Sequence, residues 1–148
     1  MTTLNPRAEQ RVRESFARQQ AMATLGAMME TVEPGATRIR LPYDPKLTQQ
    51  HGFVHAGIIA AIVDSACGYA ALSLMPADAA VLTTEFKMNL LSPARGDSLL
   101  AHGRVVRPGK KLMVCLGEVF AHQGANVKQV ALMTASMMVV DIGTGLKD

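Results

Sequence analysis

The sequence is poor in aromatic residues: they make up only 4% of its 148 residues, and tryptophan is absent. Proteins that bind single-stranded nucleic acids stack the bases on aromatic side chains. The formal net charge of +3 therefore predicts a small anionic ligand and no nucleic-acid partner. Hydrophobic residues make up 49% and charged residues 18%, which excludes a disordered chain and is typical of one globular domain with its own core.

Cysteine is also scarce, and its two positions form no known motif. Cys67 and Cys115 lie far apart in apolar surroundings, without a CxxC pair or a His-rich spacing. Two buried thiols explain them better than a disulfide or a metal site does. The sequence lacks a P-loop, a Rossmann glycine pattern, a zinc motif and a GxSxG elbow. We therefore expect neither a metal nor a resident cofactor.

No apolar segment follows the N-terminal residues "MTTLNPRAEQRVRES", which argues against a signal peptide and predicts a cytoplasmic protein. The longest apolar stretch is "QQHGFVHAGIIAAIVDSACGYAALSLM", residues 49–75. Residues 56–75 are long enough to span a bilayer, but a central aspartate costs about 2.5 to 3.5 kcal/mol on insertion scales. The stretch is thus predicted to be a helix buried inside a soluble fold, with no membrane partner.

Turn residues divide the rest of the chain into an α+β order of elements. Asn5 and Pro6 mark the start of an amphipathic helix over residues 6 to about 23, and Gly26 ends it. Two short strands surround a turn at residues 33–35, and four more strands follow the central helix. The short turns between these four strands predict an antiparallel meander, with the helix across one face of the sheet.

A pattern T-x-x-x-G-x-x-H-x-G, formed by Thr48, Gly52, His55 and Gly57, opens the central helix, and Asp64 follows the histidine by nine positions. With the later segment "TTEFKMNLLSPARGDSLLAHGRVVRPGKKL", this order resembles the PaaI-like thioesterases of hotdog fold over about residues 25–141. The resemblance implies a curved antiparallel sheet wrapped around a long central helix in residues 25–148, after an N-terminal helix extension in residues 1–24. It also implies acyl-CoA thioester hydrolysis by a homodimer, or a dimer of dimers, with sites at the subunit interface.

Asp64 lies on a stripe of small residues along the central helix. Helical spacing places on this stripe Gly57, Ala60, Ala61, Gly68 and Ala71. Small side chains allow either tight packing on the sheet or the close approach of a narrow ligand. A carboxylate in an apolar helix should have a raised pKa, because burial disfavours its ionised form. Asp64 is therefore either paired structurally with an arginine or a hydroxyl, or it acts as a base or nucleophile.

The start of this helix has backbone N–H groups that can bind the oxyanion formed from a thioester carbonyl. The resemblance places the carbonyl-binding amide at Ala56, within the family's His-Gly-Gly sequence, and Gly57 adds a second amide. His55 is expected to orient or pack the helix start, with direct catalysis as the alternative. The resemblance implies that Gln49 holds the water or the carbonyl, and that Thr83 faces the acyl thioester. A solvated loop residue and an ordinary strand residue are the respective alternatives.

A basic turn, "RVVRPGKK", follows the segment "LLSPAR". Basic hairpin tips often serve solubility alone, but the resemblance favours binding of the coenzyme A (CoA) phosphates. The residues of the turn that would do so are Arg107, Gly109, Lys110 and Lys111. The "LLSPAR" segment would line the path of CoA with Leu90, Ser92 and Arg95.

These features together predict an acyl-CoA thioesterase that requires CoA only as part of its substrate. The alternatives are a hotdog-type hydratase or dehydratase, although the His-x-Pro segment of dehydratases is missing, and a non-catalytic acyl-CoA-binding protein. Asp64 lies seven residues after Gly57, about 10 Å along a helix. A general base and oxyanion donors must each lie within about 3 Å of the reacting atoms. The spacing therefore predicts a composite site, in which Asp64 acts with the amides and Gln49 of a second subunit.

Overall fold

A six-stranded antiparallel sheet and one long helix form the body of the protein, and two shorter helices precede them. The computed structural model describes residues 5–141, 143, 145, 146 and 148. The helices are α1 (Pro6–Arg18), α2 (Gln20–Leu25) and α3 (Ala56–Leu72), with a 3-10 turn at Pro45–Leu47. The strands are β1 (Met28–Glu33), β2 (Ala36–Pro42), β3 (Ala79–Leu90), β4 (Ser98–Arg107), β5 (Leu112–Gln123) and β6 (Asn126–Asp141). No helix in these described ranges is long and apolar enough to cross a membrane.

The α+β class and the central helix are confirmed, but the predicted meander of four strands is wrong for β3. The strand order is β1-β2-β4-β5-β6-β3. Strands β4, β5 and β6 are consecutive as predicted, whereas β3 pairs with β6 at one edge and β4 pairs with β2. The chain therefore crosses the sheet twice, and α3 packs against β2, β3, β4, β5 and β6. Turn residues locate strands, but they do not specify which strands pair.

Two strand glycines let α3 pack directly against the sheet. A Cβ atom at Gly103 would collide with the backbone of Ala66, and one at Gly117 would collide with the side chain of Val63. Any larger residue at either position would push the helix away from the sheet. The buried side of α3 thereby joins one continuous core, which includes Ile39, Leu41, Val119, Met133 and Met137.

The N-terminal segment forms two helices where the sequence predicts one. Oδ1 of Asn5 accepts the Arg7 N–H at 3.0 Å, and Gly26 at φ +76° ends α2, so both predicted ends are confirmed. The break falls at Gln19, whose backbone is extended (φ −75°, ψ 96°). The Gln19 side chain forms hydrogen bonds with Ser65 of α3 at this break. Residues 1–4 of the predicted extension lie outside the described residues.

Both cysteines lie in the core as free thiols. Cys67 and Cys115 are fully buried and unpaired, as the sequence predicts. Burial raises the pKa of Cys115 to about 12. Burial also raises the pKa of Cys67, and the neighbouring Cys115 and Asp64 add to that shift. A thiol that stays protonated is a poor nucleophile, so neither cysteine is a candidate for catalysis.

Candidate active site

Asp64 lies on the side of α3 that turns away from the core, and its side chain is half-buried. Oδ1 of Asp64 accepts a hydrogen bond from Oγ1 of Thr83 at 2.8 Å, which joins α3 to β3. Burial raises the pKa of Asp64, as predicted, and the Thr83 hydrogen bond opposes part of that rise. The described residues form no ion pair with Asp64. The hydroxyl partner therefore holds a carboxylate whose proton affinity is increased, which suits a general base.

A cavity of about 320 Å³ adjoins this carboxylate, and we call it the Asp64 cavity. Its wall combines α3, β3 and the N-terminal helix: Ser15, Arg18, Gln19, Asp64, Ser65, Gly68, Tyr69, Val81, Thr83 and Asp148. The sequence predicts Asp64 and Thr83 here but misses the residues of α1 and its break. A signal was available for Ser15, because helical spacing puts this small polar residue on the apolar side of α1 with Val12 and Phe16.

His55 caps the start of α3 and uses one of the predicted oxyanion donors. Its Nδ1 accepts the Gly57 N–H at 2.8 Å, and its carbonyl oxygen accepts the N–H groups of Ile58 and Ile59. The expectation that the Gly57 amide is free for a substrate carbonyl is therefore wrong. Among the described residues, no acceptor meets the Ala56 N–H, so this amide is the free donor at the helix start. Through this capping hydrogen bond, His55 orients the start of α3.

A second cavity, of about 380 Å³, opens beside this free amide, and we call it the Gln49 cavity. It is lined by Gln49, Phe53, Val54, Ala56, Ile59, Leu90, Leu91, Ser92, Pro93 and Ala94. The backbone of Gln49 is held by Phe53 and Gly52, and its Oε1 accepts the His51 N–H. Its Nε2 makes no hydrogen bond within the described part of the chain. Gln49 can therefore donate to a ligand oxygen next to Ala56.

The two cavities share no lining residue. Ala56 and Asp64 are eight positions apart on α3, which separates them by about 12 Å along the helix axis. One chain thus contains two separate groups of candidate residues: the base with Thr83, and the carbonyl donors with Gln49.

The predicted CoA-binding residues are also divided between two places. Leu90 and Ser92 line the Gln49 cavity, and the guanidinium of Arg95 lies 5.0 Å from the ring centre of Phe53 in the same region. The basic turn lies beyond the other end of α3, where Gly109 and Lys110 line a cavity with Leu74 and Pro76. Within one chain, α3 separates these two groups of residues.

Gly109 has a structural reason to be glycine, since a Cβ atom there would collide with the carbonyl oxygen of Leu112. The three cations that surround it, Arg107, Lys110 and Lys111, are exposed. Within the described residues no cluster of His, Cys, Asp and Glu could hold a metal ion.

Strand β3 forms an edge of the sheet next to Asp64 and ends beside the Gln49 cavity. It is twelve residues long and exposes large apolar side chains, with Leu82 and Phe86 49% and Leu90 53% exposed. Long apolar edge strands are prone to pair with another chain. This edge is thus an exposed apolar surface that lies near both cavities.

Comparison with known proteins identifies the family. Residues 51–128, more than half of the chain, match the thioesterase superfamily. A Halobacterium salinarum protein named as a candidate esterase is 40% identical over 98 residues, which are 63% of this chain and 64% of that protein. The crystal structure of a thioesterase family protein from Silicibacter pomeroyi is 50% identical, with a TM-score of 0.89 over 90% of this chain and 98% of that one.

The E. coli PaaI protein, from the phenylacetic acid degradation operon, has the same fold with a TM-score of 0.83. It is 22% identical, and the match covers 93% of this chain and 96% of that chain. The predicted hotdog fold is confirmed by this likeness and by the family match. The chain belongs to the thioesterase superfamily and is a hydrolase with the hotdog fold.

Proposed function

We propose that the protein is an acyl-CoA thioesterase that hydrolyses an acyl- or aryl-CoA to the free acid and CoA. The observation on which this proposal rests is the Asp64 carboxylate, which is half-buried beside a cavity. It accepts a hydrogen bond from Thr83, and burial raises its pKa. A carboxylate with a raised proton affinity is a better base for water than an exposed one. CoA enters as part of the substrate, and the chemistry requires no cofactor.

In the direct route, Asp64 takes a proton from water while the water oxygen attacks the thioester carbonyl carbon. The oxyanion accepts hydrogen bonds from the Ala56 N–H and from Nε2 of Gln49. The carbon–sulfur bond then breaks, and the CoA thiolate leaves and takes up the proton. In the covalent route, a carboxylate oxygen of Asp64 attacks first, the thiolate leaves, and water hydrolyses the resulting anhydride. Both routes use the same groups.

The separation of the two cavities supports a dimeric site. A base cannot act about 12 Å from the carbonyl donors, so Asp64 of one subunit must meet Ala56 and Gln49 of another. Two-fold pairing through the exposed edge of β3 would lay the α3 helices of the two subunits antiparallel. It would thereby bring the C-terminal end of one α3 towards the N-terminal end of the other.

The same pairing would bring the basic turn of one subunit towards the Gln49 cavity of its partner. Arg107, Lys110 and Lys111 could then bind the CoA phosphates while Leu90 and Ser92 of the other subunit line the pantetheine arm. The location of the protein in the cytoplasm is a further part of this proposal, since acyl-CoA thioesters are made and used there.

A panel of short-chain, long-chain and aryl acyl-CoAs, with thiol release followed by a disulfide dye, tests the proposed function. Oxygen esters of the same acids are the matched control. We expect turnover of at least one CoA thioester with a kcat/KM at least about 100-fold above that of its oxygen ester, because the thiolate is the better leaving group. Faster cleavage of the oxygen esters would assign the protein to a different esterase reaction.

A further inference from the structure

The hydroxyl of Thr83 lies between two acceptors, although it has only one proton to donate. Its Oγ1 donates to Oδ1 of Asp64 at 2.8 Å and lies 3.3 Å from Sδ of Met137. A thioether sulfur is a weak acceptor, and a hydroxyl turns about its C–O bond to suit its partners. The stronger of the two acceptors at a given moment therefore decides where the Thr83 proton points.

The register of the sheet brings this sulfur to the hydroxyl. Thr83 on β3 and Met137 on β6 are direct cross-strand partners, and the register shifts between Thr83 and Glu85. The extra residue is Thr84, whose hydroxyl bonds to the carbonyl oxygen of Ser136. Such a bulge re-aims the side chains beside it, and bulges occur next to active sites. Met137 is fully buried, so water does not compete for its sulfur.

The protonation state of Asp64 decides between the two acceptors. Hydrogen bonds to an ionised group are about twice as strong as those between neutral groups, so Thr83 donates to the carboxylate while Asp64 is the free base. A neutral carboxylic acid is a weaker acceptor and has a proton of its own to donate. The Thr83 proton can then turn to Met137, which leaves Oγ1 free to accept from the acid.

We propose that Met137 is a positioning residue, which accepts the Thr83 proton when Asp64 is protonated and so stabilises the acid formed when Asp64 takes a proton from water. Its part in catalysis rests on the proposed thioesterase function. Thr83 keeps its own proton throughout, and Asp64 passes the proton of water on to the leaving thiolate. A base whose protonated form is stabilised removes the proton of water more readily.

A second buried methionine separates this role from packing. Met133 lies four positions before Met137 on β6, is equally buried and pairs with Met88 of β3. The hydroxyl of Thr83 contacts the sulfur of Met137. Exchange of methionine for leucine keeps the volume of a core side chain, so either variant should fold. Met133→Leu is therefore the matched control for Met137→Leu.

The substitutions leave the charges around Asp64 unchanged. Burial raises the pKa of Asp64, and the Thr83 hydrogen bond lowers it. The titratable and charged groups nearest to it are Cys67 and Tyr69 on α3, Arg18 on α1, and Asp148. None of these groups is altered in Met137→Leu or Met133→Leu, so a change in the titration of Asp64 reports on the hydrogen bonds of Thr83.

The test measures the pKa of Asp64 by carbon-13 NMR of its carboxyl carbon, and separately the acid limb of kcat/KM for an acyl-CoA. In Met137→Leu both should move to lower pH by about half a unit, the size expected when one weak hydrogen bond to the protonated state is lost. Met133→Leu should leave both in place. Added to Thr83→Val, Met137→Leu should have no further effect, because the hydroxyl that links sulfur and carboxylate is missing.

An Asp64 pKa that stays in place or rises in Met137→Leu would overturn the inference. An equal shift in Met133→Leu, or a shift that persists in the Thr83→Val background, would also overturn it, since packing would then be the cause. If the pKa moves but the acid limb does not, Met137 has no part in catalysis. A protein that hydrolyses no thioester would lose the proposed function, whereas the NMR titration, which needs no turnover, still decides whether Met137 accepts the Thr83 proton.

Discussion

Oγ1 of Thr83 donates a hydrogen bond to Oδ1 of Asp64 at 2.8 Å, across the contact between the edge strand β3 and the helix α3. The bond fixes the orientation of the carboxylate and leaves Oδ2 without a partner among the described residues. It also stabilises the charged form that a base requires, against the effect of burial. The pair thus sets both the direction and the proton affinity of the candidate base.

Asp64→Asn keeps the shape and the Thr83 contact but removes the base and nucleophile. We expect thiol release to fall by about 100-fold or more while the folded structure persists. Circular dichroism and the dimer fraction should match the wild type in the same preparation. Wild-type turnover in this variant would make Asp64 a structural residue.

The same substitution should have a pH-dependent effect on stability. Because burial raises the folded-state pKa of Asp64 above its ordinary 3.8, its protonated form is the one favoured by folding. Asp64 therefore contributes its full stabilisation of the folded state below the unfolded-state pKa, and this stabilisation is lost as pH rises through the folded-state pKa. The melting temperature of Asp64→Asn minus that of the wild type should therefore increase as pH rises across this interval. Towards neutral pH this difference should stay constant. A difference in melting temperature that increases as pH falls would contradict the burial effect.

Thr83→Val removes the hydroxyl with little change of shape, so the pKa of Asp64 should rise further. If Asp64 acts as the ionised base, the acid limb of the kcat/KM profile moves to higher pH in this variant. Thr84→Val is the control, since Thr84 bonds the Ser136 carbonyl oxygen and has no hydrogen bond to Asp64. An acid limb that stays in place in Thr83→Val, with its melting temperature unchanged, would show that Asp64 does not control the profile.

The basic turn should affect CoA esters selectively. We expect Lys110→Ala with Lys111→Ala to raise KM for CoA esters about tenfold, because two phosphate contacts are lost, and to leave esters of a truncated pantetheine thiol nearly unchanged. Lys128→Ala removes an exposed cation from β6, outside the turn, and serves as the control. Equal changes of KM for both kinds of ester would mean that the turn does not contact the nucleotide.

The sequence predicts those features that depend on neighbouring residues. Asn5, Pro6 and Gly26 locate helix ends because capping chemistry is local. It misses the pairing of β3 with β6, since strand pairing depends on distant segments. It also misses the break at Gln19, where the side chain contacts Ser65 of the distant helix α3. The use of the Gly57 amide by His55 is also a matter of geometry that spacing alone does not show.

The composite site is tested by complementation between Asp64→Asn and Gln49→Ala chains. The two residues line separate cavities of one chain, so a working site needs Gln49 from one subunit and Asp64 from the other. Each variant should be nearly inactive alone, because every site in its homodimer lacks one group. Gln49→Ala keeps the backbone hydrogen bonds that hold the loop through Phe53 and Gly52, so folding should persist.

Random pairing of equal amounts makes about half of the refolded dimers mixed, and each mixed dimer has one intact site of two. About a quarter of the wild-type activity should therefore return. Native mass spectrometry measures the mixed fraction, and a mixture of wild-type and Asp64→Asn chains controls for the effect of refolding. If mixed dimers form but stay as inactive as their parents, Asp64 and Gln49 do not meet across an interface. The two cavities would then have separate functions, because the distance along α3 prevents one chain from joining them.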